Sequence, residues 1–375
     1  MADDGIDLGD LPEIPVPTAR KVRDTFDCNV AFNFAFVGVG QGGGRIAATF
    51  NQMGYGRVCA INTTIADLAD LKLAEDRKLD IGQARGAGKD PRAAEALIAD
   101  KAEDIFDLYK RTLGDEVDYI FICLGAAGGT GAGCYTKAME VARRYMDATK
   151  RPVKVGAIVA MPKDAEGAQF AKNAFYTMQR LVKQELSPVI FIDNQRVRQL
   201  YDPPAAQEHS RANSSTAQLL HLFNRMAATH SDHTTFDRAD FAKLLDSGVL
   251  AFASASPEAW NEPTAITTAI RDQLKANVLA TTDLTKGRTA GLIYVLSGNA
   301  YEQVKASDLD HGTEMLTRML QAGSAVFPGV YKGSSAANNI RILALVGGLP
   351  WPMQRLEELR KVSGEPTDVA AFLGV

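Results

Sequence analysis

Gly125-Ala-Ala-Gly-Gly-Thr-Gly-Ala-Gly133 follows the apolar run Tyr119 to Leu124 and opens the helical pattern Tyr135 to Tyr145. A turn this poor in side chains can aim several backbone N–H groups at one point, and the helix behind it adds the positive end of its dipole. Thr130 supplies a hydroxyl in the middle. The stretch therefore suits a phosphate group. It equally suits a tight strand-to-helix turn in which glycines only let two backbones approach, so one such stretch leaves both readings open.

A second stretch of the same design, Gly38-Val-Gly-Gln-Gly-Gly-Gly44, ends the apolar segment Ala31 to Val39 and leads into the helix-like Arg45 to Met53. Two units of strand, glycine turn and helix point to one ligand gripped from two sides. Gly38, Gly40 and Gly43 also satisfy G-x-G-x-x-G, which raises a nicotinamide-binding Rossmann dehydrogenase as an alternative. That fingerprint calls for a carboxylate about 20 residues on, at the end of the next strand, to hold a ribose. Arg57 to Ile61 ends instead in Asn62-Thr63-Thr64, and a dehydrogenase leaves Gly125 to Gly133 without a task.

Outward from these stretches, strand and helix patterns alternate. Phe34 to Val39, Val58 to Ile61, Tyr119 to Leu124, Val153 to Met161 and Val189 to Ile192 read as strands, with helices at Ala93 to Leu113 and Gln169 to Glu185 among those between them. Such alternation predicts an α/β fold, a parallel sheet covered by helices with its ligand at the carboxyl ends of the strands. Both glycine turns lie at such ends, as do Asn62, Gly86-Ala87-Gly88, Glu166 and Asn194. A long central helix is expected over Ser210 to Thr229. Beyond it lie strand patterns at Gly248 to Ser254, Thr289 to Leu296, Ser324 to Tyr331 and Asn338 to Gly347, with helices at Pro263 to Leu279 and Ser307 to Gln321. The organisation expected is an acidic, proline-bearing leader (1–30) that is disordered or loosely docked, a ligand-binding domain (31–205), a central helix (206–231), a smaller mixed α+β domain (232–350) and a short tail (351–375).

With 375 residues, 46% apolar and 23% charged, the chain can bury two substantial cores. Its 41 Lys+Arg against 45 Asp+Glu give a net charge of −4, which argues against a general binder of nucleic acid or of membrane surfaces. Cys28, Cys59, Cys123 and Cys134 show no C-x-x-C spacing and read as reduced thiols of a cytoplasmic protein. No signal peptide and no apolar run of membrane-spanning length is visible.

Taken in order, these motifs resemble one family, the FtsZ/tubulin GTPases, over roughly residues 33 to 350. Gly128, Gly129, Thr130, Gly131 and Gly133 match its signature G-G-G-T-G-[ST]-G, from which Ala127 and Ala132 depart. Gly38 to Gly44 is similar to the family's first glycine turn, Asn62-Thr63 to its second-strand N-T, and Leu79 to Gly82 with Arg85 to Pro91 to its third phosphate loop. Met161 to Gly167 resembles the sugar loop that ends in Glu-Gly, and Ile192-Asp-Asn194 resembles I-P-N beside the base.

The resemblance implies the FtsZ/tubulin fold and a site for GTP or GDP, with Mg²⁺ accompanying the nucleotide and no dedicated protein metal ligands. Gly40, Gln41, Gly42 and Gly43 would serve the phosphates together with the signature glycines and Thr130. Glu166 would hold the ribose, and Asn194 and Asn213 would read the guanine. Alone, Glu166 reads as an exposed loop charge and Asn194 as a helix cap. Thr235-x-Asp237-x-x-Asp240 resembles N-x-D-x-x-D, a loop that in this family enters the nucleotide pocket of the next subunit, so that hydrolysis depends on head-to-tail assembly. Asp240 would orient the attacking water, with Asp237 second. By residue type alone Asp237 also suits a helix cap.

Arg45 stands where FtsZ has an Asn at the base, and Phe170 or Ala171 where FtsZ has an Arg; Arg45 is long enough to compensate. The Gln41 to Arg45 version of the first turn is closer to TubZ or CetZ proteins. The chain ends Asp368-Val-Ala-Ala-Phe-Leu373, weakly similar to a tail peptide that binds adaptors, or simply a terminal helix. The expected function is a self-assembling GTPase. The two signature alanines and Thr235 keep a nucleotide-binding scaffold with weak hydrolysis as the alternative.

Overall fold

Every residue of Phe34–Val39 and Val58–Asn62 is buried, as are the first six of Tyr119–Gly125. Apolar runs covered on both faces are what a parallel sheet flanked by helices requires. The structure, a computed structural model, describes residues 22–82, 86–150, 152, 154–204, 207–276, 278–335, 337–366 and 368–373. The acidic residues of the leader up to Glu13, Arg20-Lys21, Arg85, Val153 and the 205/206 boundary lie outside these.

The strands are β1 (Phe34–Val39), β2 (Val58–Asn62), β3 (Lys78–Asp80), β4 (Tyr119–Gly125), β5 (Lys154–Met161), β6 (Val189–Asp193), β7 (Val249–Ala255), β8 (Thr289–Ser297), β9 (Ala325–Lys332) and β10 (Asn339–Leu349). They form one sheet in the order β3-β2-β1-β4-β5-β6-β7-β10-β8-β9. All pairs from β3 to β7 are parallel. β10 runs antiparallel to both β7 and β8, which matches the antiparallel character expected there, while the edge pair β8 and β9 is parallel. Val189 opposite Val249 and Ile190 opposite Leu250 stitch the C-terminal strands onto the N-terminal sheet, so the two halves share one hydrogen-bonded framework.

Several elements differ from the expectations. The pattern Ala93 to Leu113 is two helices, Pro91–Ile98 and Ala102–Thr112: Asp90 caps the first, and a turn from Lys101 N–H to Ile98 O separates them. A helix does begin beside Asn194, as its cap reading implies, but Asp193 is the cap and Asn194 the first residue of helix Asn194–Tyr201. The stretch expected as one helix over Pro263 to Leu279 passes from Ala265–Thr268 into a π-helical turn, Ala269–Leu274.

From Asp24 the leader is docked, contrary to the loose path expected of it. Asp24 accepts from Gly56 N–H and pairs with Arg57, Phe26 packs edge-on against Tyr55 and His221, and Asn224 of the central helix Glu208–Met226 bonds both backbone groups of Phe32. The tail is also folded, as helices Met353–Ser363 and Val369–Leu373, with Leu356, Leu359, Val369 and Leu373 buried in the main core. The terminal-helix reading of the last residues matches helix Val369–Leu373, whose Val369 and Leu373 face the chain's own interior. No helix among the described residues is long and apolar enough to cross a membrane.

Candidate functional site

Two helix starts meet at the carboxyl ends of the parallel strands. Neither glycine stretch is a loop: β1 passes directly into helix Gly40–Gln52, and β4 reaches helix Gly129–Thr149 after a short turn. Val39 and Gly128, in the cap positions, offer no side-chain cap, and neither first turn holds an acidic residue. A helix start leaves backbone N–H groups without intrahelical partners. Here two such starts point their dipoles toward one cavity of about 490 Å³, lined by Gln41, Gly42, Gly128, Gly129, Thr130 and Gly131 among others.

Packing explains why glycine is needed. Gly40 has φ +72°, and a Cβ there would stand 2.7 Å from Gly131 N, so the two helix starts touch through it. A Cβ on Gly43 would fall 2.0 Å from Cys123 O. Gly40, Gly43 and Asn62 stand behind the residues that line the cavity. The glycines set the spacing of the two helices. Asn62, 1% exposed, accepts from Thr63 N–H and donates to Asp67, itself bonded by Gln41.

Supporting side chains hold the second helix start in place. Thr177 Oγ1 donates to Ala126 O at 2.7 Å, and Asn173 Nδ2 donates to Ala127 O at 3.0 Å and Lys89 O at 2.9 Å. The carbonyls of Ala126 and Ala127 are thereby engaged by helix Ala168–Leu181, and the signature turn is tied to the segment Gly86-Ala87-Gly88, which lines the same cavity. Lys89 adopts a left-handed φ of 64°, a conformation that costs a non-glycine residue energy and is retained here with its carbonyl fixed. Thr63 and Thr130 share a 2.7 Å hydroxyl contact. Ala132 is fully buried and Ala127 is 6% exposed, so the two departures from the signature are accommodated by packing.

Arg45 and Lys89 bring positive charge to the cavity, the latter with its ammonium 4.8 Å from the Phe170 ring centre. On the far side stand Pro162, Glu166, Asn194, His209 and Asn213. Glu166 is half-buried, with one carboxylate oxygen accepting from Lys163 N–H at 2.8 Å, so it is held in its turn and not a loose surface charge. Burial pushes the Asp193 carboxyl up to about 6, against the opposing pull of Arg355. No group of three or more His, Cys, Asp or Glu able to hold a metal occurs among the described residues. Asp67, which accepts from Gln41 at 2.8 Å, also lines the cavity.

Asp237 and Asp240 are not in this cavity. Asp237 is the cap of helix Arg238–Leu245, accepting from Asp240 N–H at 2.9 Å, and Asp240 pairs with Lys243 at 3.4 Å. Arg238 bonds Asp118 and the carbonyl of Ala31, while Asp246 at the helix end reaches Tyr119 and Lys154. Those partners mark the amino ends of β1, β4 and β5, whereas Val39, Gly125 and Met161 at the cavity mark their carboxyl ends. A strand of six residues such as β1 spans roughly 20 Å. The acidic corner and the cavity thus occupy opposite ends of the same strands.

Residues 33–202 match the Tubulin/FtsZ family GTPase domain. Tubulin-like protein TubZ of Bacillus cereus is 27% identical over 248 residues, covering 60% of this chain and 55% of that protein, so the match spans about half the relative's length. Cell division protein FtsZ 1 of Pyrococcus furiosus is 25% identical over 352 residues, 90% of this chain and 87% of that one. A GTPγS-form protofilament of TubZ from Bacillus thuringiensis serovar israelensis has a like fold, with a TM-score of 0.76 at 18% identity over 90% of this chain and 92% of that chain.

Proposed function

From a chain whose residues 33–202 are a tubulin/FtsZ-family GTPase domain, we propose that GTP and GDP bind in the cavity and that subunits assemble head to tail, each completing the active site of its neighbour. Phosphate oxygens would accept from the backbone N–H groups of the two uncapped helix starts, with Thr130 adding a hydroxyl and Arg45 and Lys89 offsetting charge. Mg²⁺ would arrive with the nucleotide and neutralise part of that charge. Glu166 would accept from the ribose hydroxyls, and Asn194 with Asn213 would read the base.

The observation that carries the proposal is the separation of the acidic corner from the cavity by the full length of the strands. Asp237 and Asp240 lie too far from the cavity of their own chain to act on a γ-phosphate water there, and a second copy stacked along the strand direction brings them to it. Asp240 would accept a hydrogen bond from the water and polarise it; Asp237 would fix the start of its helix. This contact joins unlike faces and does not close, so it repeats as a filament.

GTP hydrolysis per subunit, measured across protein concentration, tests the proposal. A steep rise above a threshold concentration is expected. A flat, low rate with tight GTP binding instead supports the nucleotide-binding scaffold, and absence of GTP binding rejects both.

A further inference from the structure

Arg355, in the C-terminal helix Met353–Ser363, is among the largest fully buried side chains of the chain, with 1% exposure. A guanidinium is kept out of water only where acceptors meet its donors. Nη2 donates to Pro162 O at 2.7 Å, Nη1 to Asp164 Oδ1 at 2.6 Å and to Glu358 Oε2 at 2.9 Å, and Nε stands 3.3 Å from Asp193 Oδ1. Nε makes no hydrogen bond, so Asp193 is held by charge alone, and three of these four partners belong to the rim of the cavity. Pro162 lines it directly, Asp164 opens the turn that ends in Glu166, and Asp193 caps the helix that begins with Asn194.

The two rim segments leave neighbouring strands, with Met161 paired to Asp193 in the ladder, and beyond it a 3.4 Å bond runs from Asp164 N–H to Gln195. The planar fork of Arg355 grips the Pro162 to Asp164 segment by directed bonds while its charge faces Asp193 at the start of the other, a combination a lysine's point charge lacks. We propose that Arg355 is a positioning residue for the sugar and base half of the nucleotide site, which makes the C-terminal helix part of nucleotide recognition. This rests on the nucleotide reading of the cavity. Loss of the fork lets the Pro162 to Gly167 turn and the start of helix Asn194–Tyr201 move apart, carrying Glu166 and Asn194 off their ligand. The phosphate half is tied through Thr177 and Asn173, on the helix that continues from the same turn.

The test uses full-length Arg355→Met and the milder Asp164→Asn, titrated with GTP, GDP and 2′-deoxy-GTP at a temperature where both are folded by circular dichroism. For Arg355→Met the dissociation constants of GTP and GDP should rise together by about 10- to 100-fold, the scale of a misplacement near 1 Å. Asp164→Asn should give a smaller rise. The GTP to GDP affinity ratio should stay that of wild type, and any preference for GTP over 2′-deoxy-GTP should shrink as Glu166 disengages. Unchanged constants with only a lower melting temperature overturn the proposal and leave Arg355 a structural clamp. Should Arg355→Met fail to fold, Asp164→Asn decides: unchanged constants overturn the proposal, and a parallel loss for GTP and GDP supports it. A wild-type chain that binds no GTP fails the nucleotide reading itself, a result distinct from either.

Discussion

The two ends of the parallel strands are built from opposite materials. At the carboxyl ends the chain removes side chains: uncapped helix starts, glycines at the points of closest approach, and carbonyls drawn back by Thr177 and Asn173. At the amino ends it adds charge, with Asp237 capping a helix and Asp240 on its first turn, held by Arg238 and Asp246 against Asp118, Tyr119 and Lys154. One end is a surface of donors whose own carboxylates, Asp67 and Glu166, are engaged by neighbouring donors, and the other a pair of carboxylates set away from the cavity. A helix can serve an anion or carry its own acidic cap at a given N-terminus; Gly40–Gln52 and Gly129–Thr149 leave theirs open, and Arg238–Leu245 carries Asp237.

Making the donor end resemble the acidic end should give the largest effect. A Cβ on Gly128 meets nothing within 4 Å, so Gly128→Asp fits the cap position while placing a carboxylate where phosphate would sit. GTP affinity should fall by roughly 1,000-fold, the consequence of about 4 kcal/mol of like-charge repulsion. The melting temperature should hold or rise, since Asp is a favoured cap. Fluorescent-nucleotide titration beside a thermal melt reads both.

Removing the charge at the opposite end should act on turnover alone. Asp240→Ala is expected to lower kcat by about 100-fold or more, within the range of a lost general base, with nucleotide affinity and filament formation retained. Steady-state hydrolysis and pelleting of filaments separate these; a loss of nucleotide binding would mean the two ends are not independent. Asp237→Ala should give the smallest effect, about 1 kcal/mol of stability from the lost cap, while Asp237→Asn, a comparable cap, should keep it. Equal losses in Asn and Ala, read by chemical denaturation, would show that charge and not capping matters there.

The sequence and the structure agree most closely where a feature is local. Strand runs, glycine spacing and the cap candidate Asp237 are properties of a few adjacent residues, and each is read directly from them. Even there the glycines proved to be helix starts, because absence of side chains fits a loop and a helix N-terminus equally. Gly43 is packed against Cys123, a closeness set by how helix Gly40–Gln52 lies on β4. What escaped notice is non-local. Arg355 meets Asp164 across 191 residues of chain, and nothing in the helix Met353–Ser363 marks one of its basic residues as buried. Asn173 and Thr177, four apart on one helix face, look like ordinary polar surface until that face is set against the signature turn. The break at residues 99–101 falls on Ala-Asp-Lys, which carries no glycine or proline to announce it.

The central claim is that the two ends meet between molecules, and mixing two defective chains tests it most directly. Asp240→Ala keeps the donor cavity and lacks the base; Gly128→Asp keeps the base and lacks the cavity. Each alone should hydrolyse GTP near background. A one-to-one mixture should recover a substantial share of the wild-type rate, because Asp240 of the Gly128→Asp chain enters the intact cavity of its neighbour. A mixed rate equal to the sum of the two separate rates, with co-assembly confirmed by pelleting, would contradict the account.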